Sequence, residues 1–372
     1  MKTTQIDTQW IWQHQNFPNF YYNNINTEHL TYKFGQLKMI ENLLRKEFSS
    51  EILIDSLENE IYSTSAIEGE MLQRSSVRSS INKLLQLGLD EEHYGGTYQI
   101  DNLVEIIVDA KTNLKPLDFE RMTSWHRALF QYGQMGLKKI EVGQFRTHEE
   151  DMEIISGSWE KPIVHYIAPP STQVAPMMES FFKWLNDDNE TNIIIKAAIA
   201  HLYFVLVHPF EDGNGRITRA ITDYVLAKAK LANASFYSIA HAIYKKRTEY
   251  YQILDLTCKS ETLDITPWIE WFIGIIEISL DDTLAKVETI KIKTNFWDKC
   301  KDIPLNVRQK KALSKMVASL PGEFQGGMKI NKYMNLTKST RITASRDLAD
   351  LVAHNILQIH GAGRGVYYTL RY

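Results

Sequence analysis

The stretch His208–Arg219, "HPFEDGNGRITR", places a histidine, an acid, a Gly-Asn-Gly turn and two arginines within twelve positions. Gly213-Asn214-Gly215 allows the backbone to bend tightly and aim its N–H groups inward. The helical pattern "ITRAITDYVLAKAKL" begins directly after it. The free N–H groups and positive dipole end of that helix therefore point at the same place, which makes a pocket for phosphates. Arg216 and Arg219 lie three apart on the first turn and can face one polyphosphate. Asp212 would repel a bare anion, but fits if it holds a Mg²⁺ that bridges phosphate oxygens. His208 is then a base within reach of a reacting hydroxyl. Taken singly, each residue also has a plainer reading: a turn, a core histidine, a helix cap, a solvated basic face. Their joint order and spacing favour the phosphate pocket.

Upstream, "NIIIKAAIAHLYFVLV" (192–207) is apolar nearly all round, the pattern of a central buried helix. Pro209 forces it to end near His208. "EILIDSLENEIYSTSAIE" (51–68) repeats apolar residues at helical spacing, and Gly69 stops it. A further helix is expected after Ser75-Ser76, and others over 236–257 and 264–290. Strand signal is scarce. In "MEIISGSWEKPIVHYIAPP" (152–170), two apolar runs flank Gly157-Ser158 and predict a hairpin that turns there.

The chain has 372 residues, 44% hydrophobic and 23% charged, as expected of a globular protein with more than one core. Cys258 and Cys300 are the only cysteines, so there is no disulfide framework and no cysteine-based metal cage. With no signal peptide and no apolar run long enough to span a bilayer, a cytoplasmic, non-membrane protein is expected. The net charge of −3 conceals an asymmetry: Lys291–Tyr372 carries 15 Lys/Arg against 5 Asp/Glu, a surplus of 10 that leaves the first 290 residues at −13. Such a basic tail is a cue for an anionic partner.

The His208–Arg219 stretch matches in full the signature of Fic proteins, His-Pro-Phe-x-(Asp/Glu)-Gly-Asn-Gly-Arg-x-x-Arg. The resemblance continues through "GQFRT" (143–147), the hairpin, "APP" and "AIYKKRTEYYQIL" (242–254), while "WIWQHQNFPNF" (10–20) resembles the helical region preceding some Fic domains. It implies transfer of AMP from ATP to Ser, Thr or Tyr hydroxyls of target proteins and of the chain itself. His208 would deprotonate the hydroxyl, Phe210 would fix the loop, and Asp212 would hold Mg²⁺ on the α- and β-phosphates. Gly213, Asn214 and Gly215 would cradle the phosphates, with Arg216 on the α/β region and Arg219 on the γ-phosphate. Related toxins of the Doc type carry Lys where this chain has Gly215 and act as kinases, so Gly215 favours nucleotidyl transfer. The hairpin at 153–167, with Ile155, Ser156, Ile163 and Val164, resembles the flap that aligns a target segment by strand pairing. Tyr244, Tyr250 and Tyr251 fall where relatives bind adenine, though core packing accounts for any one of them equally well.

"TSAIEG" (64–69) also matches the Fic inhibitory motif, (Ser/Thr)-x-x-x-Glu-(Gly/Asn), from Thr64 through Glu68 to Gly69. The resemblance implies that Glu68 pairs with Arg219 and denies the γ-phosphate its site. A glutamate placed there could instead orient water and remove AMP from a modified protein. In the tail, helical patterns are followed by "ILQIHGAGRGVYYTL" (356–370), the order of a winged helix. On "STRITASRDLADLVAHNIL" (339–357), Ile342, Leu348, Leu351, Val352 and Ile356 are expected to face a core. Arg341, Thr343 and Arg346 are expected to project, with Asp347 and Asp350 interrupting the polar face. DNA and a protein contact are equally open for this module. The expected architecture is mainly α: an N-terminal helical segment with the brake (1–92), a Fic-type helical core with a β-hairpin flap (93–290) and a C-terminal winged helix (291–372). A DNA-binding regulator whose core only senses ATP remains an alternative, as does a homodimer that controls the brake.

Overall fold

The computed structural model describes residues 10–43, 46–86, 98–130, 134–135, 138–158, 161–187 and 192–371. The chain is mainly helical. Helices α1 (Glu28–Leu43), α2 (Lys46–Ile67), α3 (Arg74–Leu84), α4 (Tyr98–Thr112) and α5 (Phe119–Leu129) precede two small antiparallel ribbons. These are β1 (Gln134–Met135) with β2 (Lys138–Lys139), and β3 (Glu153–Ser158) with β4 (Lys161–Ile167). Next come α6 (Ser171–Asn186), α7 (Ile193–Val207), α8 (Asn214–Lys228), α9 (Ile239–Lys245), α10 (Arg247–Cys258) and the long α11 (Thr266–Lys299). The chain closes with α12 (Val307–Val317), α13 (Ile330–Thr337), α14 (Arg341–Ala353) and the hairpin of β5 (Leu357–His360) and β6 (Tyr367–Leu370). It divides into two compact units, 1–283 and 284–372. Among the described residues no helix is long and apolar enough to cross a membrane.

In the first unit, α7 is the buried axis its sequence predicts. Asn192 starts it, its Oδ1 accepting from the N–H groups of Ile194 and Ile195 at 3.2 and 3.3 Å. α8 packs along α7, and α2 lies against α3, α4, α8 and α9, so the N-terminal helices share one unit with the signature. The hairpin differs from expectation. Gly157 and Ser158 pair with Pro162 and Lys161 inside the ladder and so belong to the strand, not to the turn expected there. The expected helix over 236–257 is broken at Lys246, where no Gly or Pro marks the site. α11 overruns its expected end because nothing after Pro267 breaks a helix before Pro304.

A polar triad ties α2 to the core. The Lys111 ammonium on α4 lies 2.8 Å from Asp223 on α8, both side chains being wholly buried. The same ammonium donates to the carbonyls of Ala234 and Tyr237 at 3.0 and 3.3 Å. Glu60 on α2 accepts from Ser238 Oγ at 2.6 Å and from the Ala240 N–H. Burial and the Glu60 carboxylate push Asp223 up to about 8, against the pull of Lys111. Asp223 thus binds a proton when folded that it releases when unfolded, and stability from this site is lost as pH rises from the ordinary carboxylate range through about 8. Melting curves at about pH 5 and pH 8 are expected to show this decline in the native chain and a flatter one in Asp223→Asn.

In the second unit, α12, α13 and α14 pack around Leu313, Met316, Tyr333, Leu348 and Leu351. Met328 bridges Tyr368 by backbone bonds of 2.8 and 2.9 Å, adding a third extended segment to the β5–β6 hairpin. Two expectations for α14 are overturned. Ile342 does not face the core but is 83% exposed. Asp347 does not interrupt the exposed face but is 4% exposed and turned inward.

Candidate functional site

The signature forms the bend between α7 and α8. His208 ends α7 in the left-handed conformation, φ 48°, which a residue with a β-carbon holds only where its surroundings enforce it. Arg146, 1% exposed, supplies much of that enforcement. Its Nε donates to the His208 carbonyl at 2.8 Å, its Nη2 reaches the carbonyls of Val207 and Pro169, and its backbone N–H donates to Pro209 at 2.9 Å. The His208 ring is tethered by Nδ1, 3.3 Å from the Val205 carbonyl. An Nδ1–H donated there leaves Nε2 with its lone pair. Burial lowers the His208 pKa to about 4, so the ring is neutral near pH 7.

Asn214 closes the bend on itself. Its Nδ2 donates to the Phe210 carbonyl at 2.7 Å and its Oδ1 accepts the Phe210 N–H at 2.9 Å. The Asn214 side chain is therefore bonded within the loop and fixes the bend. Gly213 takes φ 77° as the α8 N-cap, and a β-carbon there would also strike Phe130. The first turn of α8 presents N–H groups that no helix carbonyl takes. The Asp212 carboxylate accepts from the Gly213 N–H and lies 3.9 Å from Arg216 Nη2.

Beneath the bend sits His126, for which sequence reasoning had no signal. Its ring stacks on Phe210 at 4.1 Å and 17°. Its Nδ1 accepts the Gly143 N–H at 3.0 Å, so Nε2 donates to the Asp212 carbonyl at 3.2 Å. Burial lowers this histidine to about 4 as well, keeping the neutral tautomer that both bonds need. His126→Phe keeps the stack but strands both backbone groups, at a cost of about 1–3 kcal/mol. Melting curves of the variant are expected to show that loss against the native chain.

Both signature arginines are held by carboxylates that follow α2. Arg219, 1% exposed, donates from Nε to Thr64 Oγ1 at 2.6 Å, and from Nη2 to the Thr64 carbonyl at 2.8 Å and Glu68 Oε1 at 2.7 Å. Gly69 follows at φ 88°, where the helix has ended. The Glu68 carboxylate lies against Gly215, and a β-carbon at 215 would collide with its Oε1. Desolvation raises the Glu68 pKa, but Arg219, with smaller help from Arg216 and His208, brings it below the usual carboxylate value. Arg216 donates from Nη1 to Glu70 Oε2 at 3.1 Å and lies 5.3 Å over the Phe130 ring. Its buried Nε has no hydrogen-bond partner. Glu70 is another residue that sequence reasoning missed.

The tyrosines separate. Tyr250 is buried in the aromatic core, its hydroxyl 3.0 Å from His201 Nε2 and its ring stacked on Trp271. Tyr251 is 44% exposed and donates to the Ile67 carbonyl at 3.1 Å, beside Glu68. Tyr244 meets Tyr62 edge-on at 6.3 Å. In the hairpin, Ile155 pairs with Val164 and Ser156 with Ile163. Ile155 and Ile163 are exposed, and each strand of a two-stranded ribbon keeps an unpaired edge. The base of the ribbon is fixed by Trp12, whose Nε1 donates to Ile167 at 2.8 Å, and by Trp10, edge-on to Tyr166.

Among the described residues no group of three or more His, Cys, Asp or Glu could hold a metal ion unaided. A single carboxylate such as Asp212 could hold a cation only with other ligands supplied from outside the chain.

Residues 116–226, which include the bend and both arginines, match the Fic/DOC family, and residues 10–87 match a domain of unknown function (DUF4172). Protein adenylyltransferase Fic of Drosophila ananassae is 24% identical over 224 residues, 59% of this chain and 40% of that protein. The Drosophila melanogaster protein of the same name is 24% identical over 59% of this chain and 41% of its own length. The chain thus spans about two fifths of the length of these curated relatives. A Fic family protein from Desulfovibrio desulfuricans G20 shares the fold with a TM-score of 0.54 and 19% identity, covering 94% of this chain and 97% of that one. A Fic domain containing signaling protein from Bacteroides thetaiotaomicron VPI-5482 gives a TM-score of 0.52 and 18% identity, over 70% of this chain and 97% of that one.

Proposed function

We propose that this chain, a member of the Fic family, transfers AMP from ATP to protein hydroxyls and is held in check by Glu68. The observation that carries the reading is the bend itself. It sets a neutral histidine beside the N-terminus of a helix whose first two turns bear Arg216 and Arg219. The backbone N–H groups of Asn214 and Gly215, with Arg216, take the α- and β-phosphates, and Arg219 takes the γ-phosphate once Glu68 leaves it. Asp212 would hold a Mg²⁺ brought in with the nucleotide, and that ion would supply charge neutralisation at the phosphates. His208 Nε2 accepts the proton of the incoming hydroxyl, the oxygen bonds to the α-phosphorus, and diphosphate departs with its electron pair. The free edge of the β3–β4 ribbon, with Ile155 and Ile163 exposed, suits an extended target segment laid alongside it. The targets are proteins, and the chain itself is one of them.

Intact mass of the Glu68→Gly protein after incubation with ATP and Mg²⁺ tests this reading. A gain of one AMP is expected; a gain of one phosphate, or none, overturns it. One observation favours a second activity at the same site. The Glu68 side chain keeps 35% of its surface exposed while resting on the bend, so it can orient a water towards an AMP-modified hydroxyl. Release of AMP from a pre-labelled target by the native chain, and not by Glu68→Gly, separates hydrolysis from transfer.

A further inference from the structure

We propose that the second unit binds duplex DNA through the N-terminal half of α14. This goes beyond nucleotide transfer and does not depend on it. In the second unit, α13 and α14 are joined by the short turn Lys338-Ser339-Thr340, and the β5–β6 hairpin follows. Lys338 adopts φ 53° there, and Thr340 caps α14 by accepting the Thr343 N–H. In a helix-turn-helix, the second helix enters the major groove with its N-terminal residues at the base edges.

The distribution of side chains on α14 fits that use. Ala344, Asp347, Leu348 and Leu351 are buried, and they fix which face is left outside. The exposed face of the N-terminal half carries Arg341, Ile342, Ser345 and Arg346. Ile342, at 83% exposure, has no intramolecular packing to explain it. The one acid that could spoil this face is withdrawn. Asp347 accepts from Arg308 Nε at 2.8 Å, Tyr333 Oη at 3.0 Å and Asn306 Nδ2 at 3.2 Å, which neutralises it inside the fold. Asp350, the other acid of α14, lies in its last turns and takes the Gln309 amide at 2.7 Å. What remains outward at the N-terminal end is two guanidinium groups, a hydroxyl and an apolar side chain, next to the exposed Lys338. The charge surplus of 10 over residues 291–372 complements a polyanion.

The chemistry selects DNA over other polyanions. Guanidinium groups pair with phosphates or with guanine O6 and N7, and an aliphatic side chain packs on a thymine methyl. A B-form major groove, about 12 Å wide, admits a helix. The deep, narrow major groove of A-form RNA does not.

The test uses the full chain and a labelled random-sequence DNA duplex, in fluorescence anisotropy. Binding is expected at about 50 mM salt and should weaken by orders of magnitude by about 200 mM. Arg341→Ala with Arg346→Ala should cost at least about tenfold in affinity and lower the salt slope by about 1 for each phosphate contact removed. Ile342→Ala should leave the salt slope unchanged but relax preference among duplexes enriched by repeated selection. These side chains are exposed, so melting curves are expected to match the native chain. His208→Ala should bind DNA like the native chain, which keeps this test separate from the transferase reading. No binding at low salt, equal binding by the double-alanine variant, equal binding to RNA duplex, or a face that captures only protein would each overturn the proposal.

Discussion

Replacing Glu68 with glycine is expected to raise AMP incorporation, self-labelling included, at least about tenfold, equivalent to about 1.4 kcal/mol. Glu68 Oε1 holds the Arg219 guanidinium at 2.7 Å and rests against Gly215, so in the proposed reading one carboxylate would block both the distal arginine and the mouth of the phosphate pocket. Removing it frees that arginine without unfolding its surroundings, because Thr64 continues to take two of its hydrogen bonds. Glu70 offers an internal comparison. It holds Arg216 at 3.1 Å, but 47% of its side chain is exposed, and solvent-screened pairs contribute no more than about 1 kcal/mol. Glu70→Ala should therefore raise labelling only a few-fold, and Glu68→Gly should dominate the double variant. Initial rates of labelled-ATP incorporation decide the matter: equal labelling of native and Glu68→Gly protein removes the brake from the account.

The signature was legible because its chemistry is local. A proline that ends a helix, two glycines that allow a tight bend and two arginines three apart each act within a few residues. The helix ending at Ile67 before a positive-φ Gly69 was readable for the same reason. What escaped sequence reasoning acts across distance. Arg146, inside the quoted stretch 143–147 but given no role there, braces a histidine 62 residues away, and His126 supports an aspartate carbonyl 86 residues away. Neither lies in a pattern that periodicity can distinguish from an ordinary helix or loop position. The Glu60, Lys111 and Asp223 triad is invisible for the same reason. Asn214 and Tyr250 carry contacts of the same long-range or backbone kind: the Asn214 side chain bonds the Phe210 backbone, and the Tyr250 hydroxyl lies 3.0 Å from His201 Nε2. Ile342 was assigned to the core by spacing alone, and it is the residue whose exposure now marks the outward face of α14.

In the released Glu68→Gly background, His208→Ala is expected to lower AMP transfer by about 10²–10⁴, the range set by loss of a general base. Nucleotide affinity should change little, because Arg216, Arg219 and the first turn of α8 are untouched. That split between turnover and binding distinguishes a base from a residue that merely shapes the bend. The pH profile supplies a second discriminator. An ordinary histidine would lose activity as pH falls through 6.5, whereas burial lowers His208 to about 4. The active form is the neutral ring, so the rate carried by His208 should hold well below pH 6.5 and fall only as the ring gains its proton near pH 4. Glu68 raises the His208 pKa, so its removal shifts this acid limb further down. An acid limb at the ordinary histidine value in the released enzyme would mean that His208 meets solvent during turnover. Its neutral state would then be set by the medium instead of by the bend.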